Sequence, residues 1–280
     1  MTATTPPPPP PAQVPPPSTG QRMPPAGQTA LIVGLSLIAV VTVLGVVLAT
    51  MLLRGGSLAG SFNSTRSVEA GTSVVANIPN AAVELRPGTD DQVHVETRGT
   101  YFGSMPTLKV TTSGGVTSVS GGCPSQWFGF CSVNLTVTLP ASLPVVVRAQ
   151  NGRVTATGLT GPLKLASTNG QITTTGTRGE IELRTTNGSI RVGDAASRRV
   201  TAETTNGSIE LEFLDAPTAV DARSTNGNVT VRVPPDGVTY SVDVRTTNGK
   251  IENESVPSDP SSRRSITAAT TNGNVTITAR

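Results

Sequence analysis

Aromatic side chains are scarce in this sequence: Phe, Tyr and Trp make up 3% of its 280 residues. That excludes a core built on large rings, so something else must organise any folded part. Histidine is reduced to His94 and cysteine to Cys123 and Cys131. One His and two Cys, with no second pair, are too few for a structural zinc site, and no His-based catalytic triad can be drawn without His94. The phosphate-cradling G-x-x-x-x-G-K-[ST] loop, the G-x-S-x-G nucleophile turn and the calcium-binding nonapeptide are absent as well. Residues 1–54 carry two arginines and no acid, which leaves 19 basic against 18 acidic groups beyond them. The net charge of +3 therefore does not mark a nucleic-acid-binding surface. No catalytic residue, cofactor or metal is expected.

What the chain has in excess is unevenly placed. Eleven of its 23 prolines fall in the first 28 residues, and residues 1–29 read as a disordered, extended Pro-rich tail, a spacer or a polyproline ligand for a cytoplasmic partner. Residues 30–53, "ALIVGLSLIAVVTVLGVVLATMLL", contain no charge. A helix of that length crosses about 30 Å of hydrocarbon, so a single membrane span is expected, uncleaved because its apolar core is too long for a signal peptide. Arg22 stands on one side of it and Arg54 and Arg66 on the other, which leaves the positive-inside rule undecided. Residues 54–67 read as a flexible Gly/Ser-rich stalk, and the folded part is expected over 68–280.

Within that part, Asn-Gly pairs recur at Asn151, Asn169, Asn187, Asn206, Asn226, Asn248 and Asn272, at spacings of 18, 18, 19, 20, 22 and 24 residues. A period near 20 is the mark of stacked repeats, whereas Asn-Gly alone would also suit independent hairpins. The flanking positions decide between the two. Three residues after each Asn stands Val or Ile (Val154, Ile172, Ile190, Ile209, Val229, Ile251, Val275). Four before it the residue is always apolar, and two before it always small. Hairpins need no such identity from copy to copy; coils stacked at about 4.8 Å do. The expected fold is all-β, a β-solenoid with regular coils from about residue 144, each with room for about three short strands. The Asn residues read as inward-turned corner amides stacked on one another, and each following Gly as a source of positive φ. Before Asn151 the strand pattern is irregular, as a set of wider coils beginning the same sheets. At the other end "NVTITA" runs to Arg280 with nothing to cover it, an uncapped C-terminal coil open to self-association.

Cys123 and Cys131 enclose "PSQWFGF" and read as a disulfide closing a surface loop on the oxidising side of the membrane, with free thiols as the alternative. Trp127, Phe128 and Phe130 in that loop form either a contact patch or a plug over one end of the solenoid. Glu180 with Glu182, and Glu210 with Glu212, each share a strand face, the arrangement a glycan-active β-helix enzyme would use. Their strands also carry Arg184 and Arg191, as a solvated surface would. The arginines three before the Asn (Arg148, Arg184, Arg223, Arg245) make a stripe for an anionic polymer, interrupted by Glu203.

A Pro-rich tail, one span, the strand "VTLPASLPVVVRAQNGRV" and repeated "T-x-NG-x-I" coils together resemble the bacterial putative-adhesin domain family. The resemblance implies an exported β-solenoid on a cell-envelope protein and transfers no catalytic residues. The expected function is a non-catalytic, membrane-anchored binding or scaffold protein with its N-terminus cytoplasmic and its C-terminal domain outside. Its expected partners are the membrane and an envelope protein or glycan, not nucleic acid. The alternatives are a glycan-active enzyme and an envelope-stress sensor signalling through the tail.

Overall fold

The structure is a computed structural model that describes residues 25–53, 59–124 and 130–280. It divides into two units, Met1–Ser57 and Leu58–Arg280. In the first, helix α1 (Pro25–Leu53, 29 residues) contains no charged residue in its first or last turn. It begins five residues before Ala30, with Pro25 at a first-turn position where no N–H is required. Residues 25–29, read as tail, are thus helical; the rest of the tail lies outside the described residues. The side chains of α1 are described over 36–50 and all are exposed. Among the described residues no helix is long and apolar enough to cross a membrane.

The second unit is built of strands. The first seven are β1 (Ala59–Glu69), β2 (Ser73–Asn80), β3 (Ala82–Gly88), β4 (Gln92–Phe102), β5 (Thr107–Ser113), β6 (Val116–Gly122) and β7 (Phe130–Pro140). Residues 59–67, expected as stalk, lie in β1, which pairs antiparallel with β4 along its whole length. Then come the regular coils: β8 (Val145–Asn151) with β9 (Val154–Thr157), β10 (Leu163–Asn169) with β11 (Ile172–Thr175), β12 (Ile181–Asn187) with β13 (Ile190–Ala195) and β14 (Arg199–Asn206) with β15 (Ile209–Phe213). Three more follow: β16 (Ala219–Asn226) with β17 (Val229–Val233), β18 (Ser241–Asn248) with β19 (Ile251–Glu254) and β20 (Ser265–Asn272) with β21 (Val275–Ala279).

Each coil therefore supplies two strands and not three. The first ends at the Asn, the second starts three residues later, and the remaining side is a strandless turn. In the first regular coil that turn holds Gly158 at φ 67° and points Leu159 inward at 0% exposure, so one short turn fills the space a third strand would line. The first strands of the coils stack in parallel into one sheet and the second strands into another. Between the sheets lie columns of like residues. Val154, Ile172, Ile190, Ile209, Val229 and Val275 are all at most 1% exposed, each contributing about 1.5–3 kcal/mol by burial.

The stacking order departs from the chain order at both ends. One sheet runs β1-β4-β7-β3-β9-β11-β13-β15-β17-β21-β19 and the other β18-β20-β16-β14-β12-β10-β8-β2-β6-β5. The coil last in sequence, Ser265–Ala279, thus lies between its two predecessors, and the open end is the coil Ser241–Glu254. This corrects the expectation of an uncapped C-terminal coil. The reason lies in what each segment can bury. Ile266, Ala268, Val275 and Ile277 are each 0% exposed in the inserted coil, whereas the outer one carries Glu252 and Glu254 and leaves Ile251 51% exposed. An outermost coil has one neighbour, so the more polar segment loses less there. Tyr240, 1% exposed, pins the connection, its backbone N–H donating to Pro257 O at 3.1 Å.

Stability separates the two orders. Ile266→Asp is expected to destabilise by about 4 kcal/mol or more, and Val244→Asp, at the open end, by about 1 kcal/mol. Chemical denaturation followed by circular dichroism would reverse that ranking if the coils stacked in chain order.

Candidate functional site

The corner at the Asn-Gly pairs is the most regular feature of the surface. Asn151, Asn169, Asn187, Asn206, Asn226, Asn248 and Asn272 are exposed, not turned inward. The in-out alternation breaks at the residue before each Asn, so two successive side chains face solvent and the small residue two before, Ala149 in the first coil and Ser or Thr in the rest, takes the inward place. The amides form one continuous ladder. Each Nδ2 donates to the Oδ1 of its neighbour at 2.7–2.9 Å, in the spatial order 248, 272, 226, 206, 187, 169, 151 and then Asn80. Asn80 completes the run by donating to Cys123 O at 3.3 Å. It was missed in the sequence because Ala81 replaces the glycine, although Ala76 four before and Val83 three after fit the repeat.

A second ladder runs just inside the first. The hydroxyls of Thr185, Thr204, Ser224, Thr270 and Thr246 each donate to the carbonyl of the adjoining coil's corner glycine at 2.8–3.0 Å. Those positions are thus hydroxylated for a reason beyond small size. The glycines themselves are required by close approach. A Cβ on Gly152, Gly170, Gly188, Gly207, Gly227, Gly273 or Gly249 would stand 1.9–2.3 Å from the carbonyl oxygen of the neighbouring coil. Only Gly152, Gly227 and Gly273 among them have positive φ, so contact, not φ, is the shared constraint.

The outward faces are charged but paired. Glu182 meets Lys164 at 2.8 Å and Arg184 at 3.3 Å, and Arg184 reaches on to Glu203 at 3.1 Å. Glu180 pairs with Arg199 at 3.3 Å, and Glu210 with Arg232 at 2.5 Å and Arg191 at 3.5 Å. The Arg232 hydrogen bond above all, with the charges of Arg232 and Arg191, holds the Glu210 carboxyl below the usual glutamate range. A shallow groove crosses several coils beside the ladder, lined by Arg184, Glu203 and Arg223 with Thr186, Thr205 and Thr271. Among the described residues no cluster of His, Cys, Asp and Glu could hold a metal.

Cys123 and Cys131 are bonded to each other, with Cα atoms 5.8 Å apart. Trp127 and Phe128 lie outside the described residues. Phe130 is 58% exposed and stacks on Phe102, ring centroids 6.1 Å apart and planes 12° from parallel, so its ring faces solvent more than it plugs a coil. His94, set aside in the sequence, stands between two partners: Ser67 Oγ lies 2.8 Å from Nδ1 and Asp90 Oδ2 2.8 Å from Nε2. The Ser67 and His94 pairing follows from the antiparallel register of β1 and β4, which no local motif announces. All three are partly or well exposed on a flat sheet face. That geometry makes a hydrogen-bonded tie between strands, without the water-excluding pocket acyl transfer uses.

Residues 144–278 match the family described as Toastrack DUF4097. Among solved structures, one described as a putative adhesin from Bacteroides fragilis NCTC 9343 is 13% identical with a TM-score of 0.50, covering 78% of this chain and 97% of its own. Another, described as a putative adhesin from Parabacteroides distasonis ATCC 8503, is 13% identical with a TM-score of 0.46 over the same shares. A third, described as a putative lipid binding protein from the same organism, is 12% identical with a TM-score of 0.41, also over those shares. No curated protein matches the sequence. The family match supports the resemblance to the putative-adhesin domain family, and the first of these structures supports the all-β stacked fold.

Gly188→Ala is expected to cost about 3 kcal/mol or more, because its Cβ would meet Gly170 O at 2.1 Å. Asn187→Ala removes two exposed hydrogen bonds, about 0.5–1.5 kcal/mol each, so denaturation midpoints should rank the glycine variant lower. Glu210, with its folded pKa depressed, adds stability present above the unfolded value near 4.3 and lost as pH falls through the folded one. Glu210→Gln should flatten that acid limb in a pH series of melting temperatures.

Proposed function

We propose that this chain is a membrane-anchored, cell-envelope binding or scaffold protein, its stacked coils acting as a non-catalytic ectodomain. The observation that carries the reading is the corner ladder, whose eight amides share one register and make the outer faces continuous with the fold rather than shaped around a cleft. Such faces suit an extended partner, a glycan strand or another envelope protein, and they suit nucleic acid poorly because their arginines are matched by carboxylates. The groove beside the ladder and the open coil Ser241–Glu254 are the contact surfaces this reading favours. Self-association belongs to that coil and not to the one that ends the sequence.

Anchoring rests on α1, uncharged over residues 30–53 and helical throughout. The bonded Cys123 and Cys131 support an oxidising compartment for the strand-built unit, hence a cytoplasmic N-terminus. A glycan-active enzyme is the weaker reading. An acid catalyst for glycoside cleavage needs a carboxyl with a raised pKa, whereas Glu210 is held low by Arg232 and Glu180 and Glu182 are paired with basic side chains.

Thiol labelling of intact cells with a membrane-impermeant reagent tests the placement. Labelling only after reduction is the expected result. Labelling that instead requires permeabilised membranes and no reductant would place free thiols in the cytoplasm and end the envelope reading.

A further inference from the structure

The seven Asn-Gly pairs carry a chemistry of their own, which the stack holds in check. When glycine follows asparagine, its backbone nitrogen reaches the side-chain carbonyl carbon most readily, because glycine has no Cβ to shield it and adapts its φ freely. All seven Asn side chains are exposed, so water reaches each of them and exposure alone would leave every corner open to attack. The hydrogen bonding does not treat them alike.

In the inner coils the reacting groups are engaged. Asn151, Asn169, Asn187, Asn206, Asn226 and Asn272 each donate Nδ2 to one neighbour and accept at Oδ1 from the other. The nitrogen that would attack is occupied too. Gly152, Gly188, Gly207, Gly227 and Gly273 donate their backbone N–H, at 2.9–3.4 Å, to the carbonyls of Asn169, Asn206, Asn226, Asn272 and Asn248 in that order. Each of these N–H bonds points toward the open end of the stack. Gly170 makes no such bond, but the amide of Asn169 is tied at both ends, and all six inner glycines are only partly exposed.

At the open end the pattern stops. Asn248 donates to Asn272 Oδ1 at 2.8 Å, and among the described residues nothing donates to its own Oδ1. The Gly249 N–H faces the side on which no coil follows, and it has no acceptor among the described residues. Of the seven corner glycines, Gly249 alone is exposed. Strand β19, which follows, is exposed at every residue and paired along one edge, to β21. Ring closure swings the Asn amide over its own backbone. In an inner coil that motion breaks ladder bonds on two sides, and at Asn248 it breaks one.

We propose that Asn248 is a site of spontaneous deamidation, selected from seven equivalent Asn-Gly pairs by its place at the open end. The Gly249 nitrogen bonds to Asn248 Cγ and the Cγ–Nδ2 bond breaks. The side-chain amide leaves as ammonia, taking the proton of the Gly249 N–H, and a cyclic imide remains. Water then adds to one of the two imide carbonyls, and the ring opens to aspartate or to isoaspartate. Isoaspartate routes the main chain through Cγ and lengthens it by one carbon, so the register that pairs both Asn248 with Asn272 and Ile251 with Val275 is lost. The open coil thus carries a clock that loosens it from the stack and leaves Ser265–Ala279 as the new end. This inference concerns the strand-built unit alone and does not depend on the anchored reading.

The test is peptide mass mapping of the full chain, purified in detergent and incubated in mildly alkaline buffer made with heavy-oxygen water, so that newly formed product carries the label. Label is expected at residue 248 about tenfold or more faster than at any inner Asn, since opening there breaks fewer hydrogen bonds. In guanidinium chloride, where the stack is lost, all seven pairs should react at similar rates. Asn248→Gln should abolish the fast reaction and leave the slow ones unchanged. Equal rates at all seven pairs in the folded chain, or a fastest site in an inner coil, would overturn the proposal. A preference for 248 that persists in guanidinium chloride would do the same, because the neighbouring sequence and not the stack would then be selecting the site.

Discussion

The rest of the structure depends on backbone packed against backbone at the corner glycines. A carbonyl oxygen of one coil occupies the space where a side chain of the next would begin, and no other residue permits that approach. Once it is made, adjoining coils are held at the spacing of paired strands, about 4.8 Å. At that spacing an amide fits on an amide and a hydroxyl on a carbonyl without adjustment. Ile172, Ile190 and Ile209 fall into one column for the same reason. The scarcity of rings follows: aligned β-branched side chains fill these columns, and the buried rings stand outside them, Phe213 at the end of β15 and Tyr240 just before β18.

Stacking in register has an electrostatic side. It would bring like charges together as surely as it brings like apolar groups together, and where charges adjoin along an outward column they are opposite, as Lys164 with Glu182 and Arg184 with Glu203. Glu203 illustrates this. In the sequence it breaks a stripe of arginines; in the stack it is the counter-charge that Arg184 reaches. Glu210 does the same between Arg191 and Arg232. The carboxylates that suggested glycosidic chemistry are better understood as parts of the seam between coils.

The period, the apolar columns and the corner position of the asparagines were legible in the sequence because each coil repeats them. The order of the coils was not. Identical corners make every coil an acceptable neighbour for every other, so the repeat carries no information on sequence of stacking. What decides is the lesser ability of Ser241–Glu254 to be covered on both sides, a comparison between segments and not a motif within one. Asn80 was hidden by a single substitution at its following residue. The link from Ser67 through His94 to Asp90 depends on strand register across 27 residues, which local pattern cannot express. The outward turn of the asparagines was misread because strict alternation was carried one residue too far into a bend.

The inserted coil also constrains the order of events during folding. Ser265–Ala279 is made after both of the coils that flank it, with 46 residues separating Asn272 from its ladder partner Asn226. The preceding coil therefore cannot take its native place as it emerges: its site on the stack does not exist until the later segment has arrived. Until then Ser241–Glu254 is a waiting strand pair, carrying the charges of Asp243, Glu252 and Glu254. The polar character that suits this segment to the outside of the finished stack is the same property that lets it wait.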